Sequence, residues 1–343
     1  MDKKNYSEKI TIRNVAERAG VTIGTVSNFI NGTASVSEKT AIKVEAAIKE
    51  LNYVPNAMAK TLRSKKSKII GVLIPNMNNS FYSMTTSVFA DKAYQHGYTV
   101  LLSTYEYSLK REIEELKRLE SNQIDTLVLF NGSKDEAVIS GFMKKGISFV
   151  LADRSTNIKD VSYVQFDNKN VMSEIVAMLK EKGYGRIGLF FEPLSLVNIE
   201  DRYLGFVDAL KENGYPFRSE DIYIKADFCL NNLKNGYVHM KEILTMHKKE
   251  ELPNAWIASS DLLAIGMIRA MKECGYRVPE DFGIIGFDNI EISGYVHPRL
   301  TTVKQDQFLL GEKLWEVVES LITGKQKVMN VTLEQQLVKR ESC

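Results

Sequence analysis

Three aspartates in this 343-residue chain stand just beyond apolar, strand-like runs. Asp153 follows 148–152, Asp261 follows 255–258, and Asp288 closes 283–287. Arg202 opens a helical stretch, and the aromatics Phe81, Tyr82 and Phe228 lie in segments after strands. Carboxylates and a guanidinium form paired hydrogen bonds with vicinal hydroxyls or a polar ring edge, while an aromatic face covers an apolar ring surface. That mixture suits a sugar, a sugar phosphate or a purine-like ligand. Each residue also has a plainer use. Asp153 and Asp261 suit helix or turn caps. An aromatic in an α/β domain is more often core than ligand stack, which applies most to Phe81.

Covalent and metal chemistry find little support. GxGxxG, P-loop and GxSxG motifs are absent, the four histidines show no metal spacing, and Cys229, Cys274 and Cys343 are too scattered for a metal site or a disulfide framework. No catalytic residue, metal or cofactor is expected. The N-terminus MDKKNYSEKI has no apolar core and no run approaches a membrane span, so a cytoplasmic protein without membrane partners is expected.

A second kind of chemistry sits at the N-terminus. Through Lys68 there are 13 basic and six acidic residues, a net +7, against −5 for the remainder. Such a head favours a polyanion. Ile12, Val15, Ala16 and Ala19 form one helical stripe; Gly20 ends that helix, Thr22 caps the next, and Val26, Phe29 and Ile30 form a second stripe. Ser37 is placed as the cap of a third helix that packs back through Ala41, Val44, Ile48 and Leu51. This is a helix-turn-helix, with Ile23, Gly24, Thr25, Ser27 and Asn28 on the solvent side of the second helix. A plain helical hairpin would share the pattern. Pro55 and Asn56 then start a helix of about two turns, too short to hold alone in water.

From residue 69 onward, short apolar runs alternate with helical stretches, which implies parallel sheets covered by helices on both faces. The strands are placed at 69–74, 99–103, 126–130, 148–152, 163–166, 187–191, 255–258 and 283–287. One of the intervening helices is placed at 202–212. Ligands of such sheets bind beyond the carboxyl ends of the strands.

The motifs TIRNVAERAGVTIGTVSNFING, VSEKT, LNYVPN and AKTLRS, followed by IIGVLIPN, DRYLGF, SSDLLAIG and IIGFDN, resemble the LacI/GalR family of bacterial transcription regulators from about residue 10 to 338. The resemblance implies an all-α helix-turn-helix head (10–54), a hinge helix and linker (55–68) and an α/β two-lobed periplasmic-binding-protein-like body (69–343). The first lobe would hold 69–166 and 298–327, the second 168–292 and 328–338. It also implies DNA contacts from Thr11, Thr22, Ile23, Gly24, Thr25, Ser27, Asn28, Asn31, Asn56, Ala59, Leu62 and Arg63. Leu62 would be the minor-groove wedge of two paired hinge helices, or a contact between them. Arg202, Asp288, Ser260, Phe228 and Tyr82 fall where family members touch their effector. Two departures stand out: Ser260 replaces a frequent asparagine, and Asn28 replaces a frequent arginine or histidine.

The implied protein is a homodimeric, ligand-responsive repressor on a near-palindromic double-stranded operator, its sugar-like effector setting the lobe angle. Either sign of control fits. EQQLVKRESC carries no leucine heptads, so a dimer without a tetramerising helix is expected. The rivals are a solute-binding protein, an enzyme, and a DNA-binding regulator controlled by a protein corepressor.

Overall fold

The computed structural model describes residues 10–32, 34–54, 67–132, 134 and 136–343, the side chain of Glu136 excepted. Asn56, Ala59, Leu62 and Arg63, and with them the expected hinge helix, lie outside the described residues. Two compact units divide at Ser67.

The first unit is built on α1 (Ile12–Ala19), α2 (Ile23–Asn31) and α3 (Glu38–Glu50). Gly20 turns the chain between α1 and α2 at φ 66°, a left-handed conformation that glycine adopts cheaply. The Thr22 Oγ1 accepts the Thr25 N–H at 3.1 Å, capping α2. Val15, Ala16, Ala19, Val26, Val44 and Ala47 form the core, with Phe29, Ile30, Ile48 and Leu51 packed around it. Ser37 departs from its expected role. Its hydroxyl pairs with the Thr40 hydroxyl at 2.8 Å and makes no side-chain cap bond to the backbone of α3.

The second unit holds two six-stranded sheets. The first lobe contains β1 (Ile69–Ile74), β2 (Thr99–Thr104), β3 (Thr126–Phe130), β4 (Ser148–Ala152) and β5 (Ser162–Phe166). The second contains β6 (Ile187–Phe191), β7 (Ile222–Ile224), β8 (Ala255–Ala258), β9 (Gly283–Asp288) and β10 (Thr301–Lys304). Two late strands complete them. β11 (Asn330–Leu333) joins β5 at the edge of the first sheet, and β12 (Gln336–Val338) joins β10 at the edge of the second. Every pairing is parallel except β10 with β12.

Helices cover both faces, as parallel sheets require. On the first sheet, α4 (Ser80–Gln95) and α11 (Gln307–Thr323) bury Phe81, Phe89, Leu310 and Leu314; α5 (Leu109–Ser121) and α6 (Glu136–Met143) bury Leu116, Leu119 and Phe142 on the other face. On the second sheet, α7 (Asn168–Glu181) and α8 (Val197–Glu212) oppose α9 (Asn232–Met246) and α10 (Asp261–Glu273). Among the described residues no helix is long and apolar enough to cross a membrane.

The strand pairing corrects the expected division of the last stretch. The segment 298–327 is not all in the first lobe, because Thr301–Lys304 pairs with Ile285–Asp288 in the second sheet. Nor does 328–338 lie wholly in the second, because Asn330–Leu333 pairs with Tyr163–Phe166. Four-residue strands carry too little periodicity to say which sheet they join. The chain therefore passes between lobes three times: after β5, after β10 and after β11.

Candidate effector cleft and DNA-recognition helix

The residues brought together between the lobes come from strand ends and from one helix. The segment 187–212 explains the central member. Helix α8 begins at Val197, five residues earlier than its expected start at Arg202, so Arg202 lies in the second turn with Asn198 one turn before it on the same face. Gly205 lets α8 approach α7 closely, since a Cβ there would sit 2.8 Å from the Lys169 Cα. Arg202 is 2% exposed and lies over the Phe287 ring at 4.2 Å. Its Nε donates to Asn168 Oδ1 (2.9 Å), Nη1 to the Ser259 carbonyl (2.9 Å) and Nη2 to Gln305 Oε1 (3.0 Å). All three acceptors are neutral.

Around this guanidinium stand three buried carboxyl groups. Asp153 leaves β4 at φ 61°, and its Oδ2 accepts from Asn131 Nδ2 (3.2 Å) and from Asn198 Nδ2 (2.8 Å). Asn198 belongs to the other lobe, so this carboxylate bridges the cleft. Burial pushes Asp153 up to about 6, against the pull of Arg202 and the two amides. Asp288 accepts from Gln305 Nε2 at 2.7 Å, and burial together with the nearby Asp261 charge raises it well above the carboxylate range. Glu192, directly after β6, accepts from Asn232 Nδ2 at 2.7 Å and is likewise raised by burial. The Tyr82 hydroxyl accepts from Asn131 Nδ2 at 3.2 Å, which leaves its ring in the first-lobe core beside Phe130. The Asn131 Oδ1 and Asp153 Oδ1 atoms are buried without a hydrogen-bond partner.

Other expected site residues have different surroundings. Phe81 packs edge-on against Tyr82 inside the first-lobe core, and Phe228 is fully buried, stacked on Phe190 at 4.3 Å. Ser260 caps α10 through Leu263 N (3.3 Å) and meets Asn232 Nδ2 at 3.3 Å, one side chain away from Glu192. Asp261 is occupied inside the second lobe. Its Oδ2 accepts from Ile290 N (2.9 Å) and Ser293 Oγ (2.5 Å), and its Oδ1 from Thr302 Oγ1 (2.5 Å).

Sequence reasoning missed Asn131, Glu192, Asn198, Asn232, Gln305 and Asn168. The signal for four of them was available: Asn131, Glu192 and Gln305 immediately follow β3, β6 and β10, and Asn168 follows β5 by two positions, the places where ligands of open α/β sheets bind. Among the described residues no group of three or more His, Cys, Asp or Glu could hold a metal ion.

In the first unit, Thr11, Thr22, Ile23 and Gly24 are exposed, while Thr25, Ser27, Asn28 and Asn31 are half-buried. Asn31 Nδ2 is engaged by the Ser27 carbonyl at 2.8 Å, one turn earlier in α2.

Comparison with known proteins places both units. The model of bacterial regulatory proteins of the lacI family matches residues 11–56, and that of the periplasmic binding protein-like domain matches 176–343. The HTH-type transcriptional regulator KdgR of Bacillus subtilis is 31% identical over 347 residues, covering 99% of each chain. The chain belongs to the LacI family. Among solved LacI-like structures, the lac repressor dimer bound to operator and the anti-inducer ONPF matches with a TM-score of 0.82 at 28% identity, covering 98% of this chain and 99% of that one. The complex of the transcriptional regulator CelR with cellobiose matches with a TM-score of 0.71 at 27% identity, covering 97% and 100%. This LacI-family chain is a DNA-binding transcriptional regulator and not an enzyme.

Proposed function

We propose that this regulator is a homodimeric repressor of a near-palindromic operator, acting in the cytoplasm and controlled by a sugar or sugar derivative in the cleft. One observation carries the effector part. Asp153, Asn131 and Tyr82 from one lobe and Arg202, Asn198, Glu192 and Asp288 from the other are buried together, with acceptors at Asn131 and Asp153 still unpaired. Buried polar groups are normally satisfied, so a site with orphaned acceptors fits a bound hydroxyl-bearing ligand. The CelR relative was solved with cellobiose, which supports the same ligand class here.

Support for the dimer comes from the relative solved as a dimer on its operator, and from Leu230, Leu233 and Met246, exposed apolar residues on and beside α9. Each head would read one half-site through Thr11, Thr22, Ile23, Gly24, Thr25, Ser27, Asn28 and Asn31. Asn56, Ala59, Leu62 and Arg63 would contact DNA between the half-sites. An asparagine pairs best with an adenine edge, and arginine with guanine. Asn28→Arg should therefore move the half-site recovered by selection from random duplexes toward guanine at one position. An unchanged sequence would assign Asn28 to phosphate.

The effector is tested by thermal shift of the full chain against sugars, sugar phosphates, nucleosides and nucleobases, since a ligand of the folded state raises its midpoint. The expected hit is a sugar whose effect is lost in Arg202→Gln and which changes operator affinity. Absence of any small-molecule hit would shift control to a protein corepressor.

A further inference from the structure

Asp153, Glu192 and Asp288 lie within Coulombic reach of one guanidinium, that of Arg202, and of one another: Asp153 and Asp288 each feel Glu192, and all three feel Arg202. Among the described residues Arg202 has no ion-pair partner, and three of its five N–H donors are taken by neutral oxygens. The next buried cation, Arg154, does not redress the balance. It donates to the Asn131 and Gly132 carbonyls and has a carboxylate of its own, Glu112 in α5, within Coulombic reach. Lys134 is engaged by Glu200 at 2.5 Å. The cleft is thus built with more carboxyl groups than cations.

Its unmet acceptors point the same way. Two of the buried atoms without a hydrogen-bond partner, Asn131 Oδ1 and Asp153 Oδ1, lie side by side in the first-lobe wall of the cleft, and both are acceptors. The Asn131 amide is oriented by its bond to the Asp153 carboxyl group, so its oxygen faces away from that partner. A ligand that satisfies these two atoms must donate to them, while the remaining Arg202 N–H groups can donate to the oxygens of its hydroxyls. A phosphate or carboxylate offers acceptors and brings a further negative charge beside carboxyl groups already held against their ionisation, whereas hydroxyls donate and an ammonium both donates and neutralises.

We propose that the cleft selects its effector by charge, taking a polyhydroxylated ligand without a negative charge, favouring an amino sugar over its neutral parent and rejecting phosphorylated and carboxylated sugars. This rests on the sugar-effector reading above and deepens it.

The test uses the purified full chain and calorimetric titration with matched series: glucose, glucosamine, glucose 6-phosphate and glucuronate, and the same four forms of galactose and of mannose. In any series that binds, the amino form should match or exceed the neutral form, and the two anionic forms should bind at least about tenfold more weakly. Glu192→Gln and Asp153→Asn, both near-isosteric, should each narrow the gap between the amino and the anionic forms. An anionic form binding as tightly as its neutral parent, or a gap unmoved in both variants, overturns charge selection and leaves the sugar-effector reading standing. Silence from every form in all three series, together with no sugar hit in the thermal-shift screen, overturns the sugar-effector reading, and charge selection with it.

Discussion

Asp153 and Asp261 both follow strands and both are buried, yet their partners divide them. Asp153 keeps one oxygen unpaired and reaches across to Asn198, whereas Asp261 has both oxygens engaged by Ile290, Ser293 and Thr302. Sequence could not separate them, because both read as aspartate after a strand, and the partners that decide lie 29 to 45 positions away. Arg202 and Asp288 were legible from their motifs; the amides that hold them were not, being common residues with no spacing of their own. Burial pushes Asp261 up to about 7 and Asp153 up to about 6. A raised carboxyl binds its proton more tightly in the folded state, so its stabilisation is complete below the unfolded value and is lost as pH rises toward the folded one. Glu273, held low by the Tyr237 hydroxyl and by Lys241, and Asp281, held low by Lys249 and Arg277, work in the opposite direction but titrate below this window. The second unit should therefore melt higher at about pH 5.5 than at about pH 7.5, by a few degrees. Asp261→Asn should flatten that dependence. Asp261→Ala would leave three donors unpaired and should cost on the order of 3–5 kcal/mol at any pH. A midpoint that climbs with pH across this range would show that these carboxyls are ionised at little cost.

Elements were easiest to read where their pattern was longest. The runs IIGVLI, TLVLF and IGLFF are buried along nearly their whole length, and β1, β3 and β6 lie where continuous apolar runs bounded by polar residues place them. The strands β7, β10, β11 and β12, of three or four residues, went unread because so short a segment is decided by the strands it pairs with. The start of α8 was also misplaced, since Val197 to Asp201 has no Ser, Thr, Asp or Asn at its N-cap position, which Leu196 occupies. Within α2, Gly24 is legible as a cost: glycine in a helix interior is worth about 1 kcal/mol less than alanine. A Cβ at Gly24 would meet only the Thr22 Oγ1, at 3.6 Å, an ordinary contact. Gly24→Ala should therefore raise the midpoint of the head's unfolding transition, equivalent to about 1 kcal/mol. Lower stability in that variant would mean the backbone at Gly24 is not the relaxed helix seen here. Unchanged stability with weakened operator binding would assign the glycine to close approach of DNA.

At the scale of the two lobes, what matters is the three places where the chain passes between them. Each passage contributes one amide to a single cluster: Asn168 after β5, Gln305 after β10 and Gln335 after β11. Gln335 Nε2 donates to Gln305 Oε1 (3.1 Å) and lies 3.4 Å from Asn168 Oδ1, and Arg202 donates to both of those oxygens. Separations of 30 to 167 positions put this cluster beyond any local reading. The opposite side of the cleft is held differently, by Asp153 with Asn198 and by Lys134 with Glu200 at 2.5 Å. Lys134 and Glu200 are each 45% exposed, so the pair itself is worth at most about 1 kcal/mol and weakens with salt. Replacing attraction by repulsion is a sharper perturbation than removing it. With the amide cluster as pivot, Lys134→Glu should part the lobes on that side, raising the radius of gyration of residues 68–343 in the unliganded protein and lowering effector affinity several-fold through the smaller closed population. Lys134→Glu combined with Glu200→Lys should restore both quantities, and the difference between single and double variants should shrink in high salt. A double variant that stays open, or a single variant that stays closed, would mean that the lobe angle is set at the crossings alone and that the far side of the cleft merely follows.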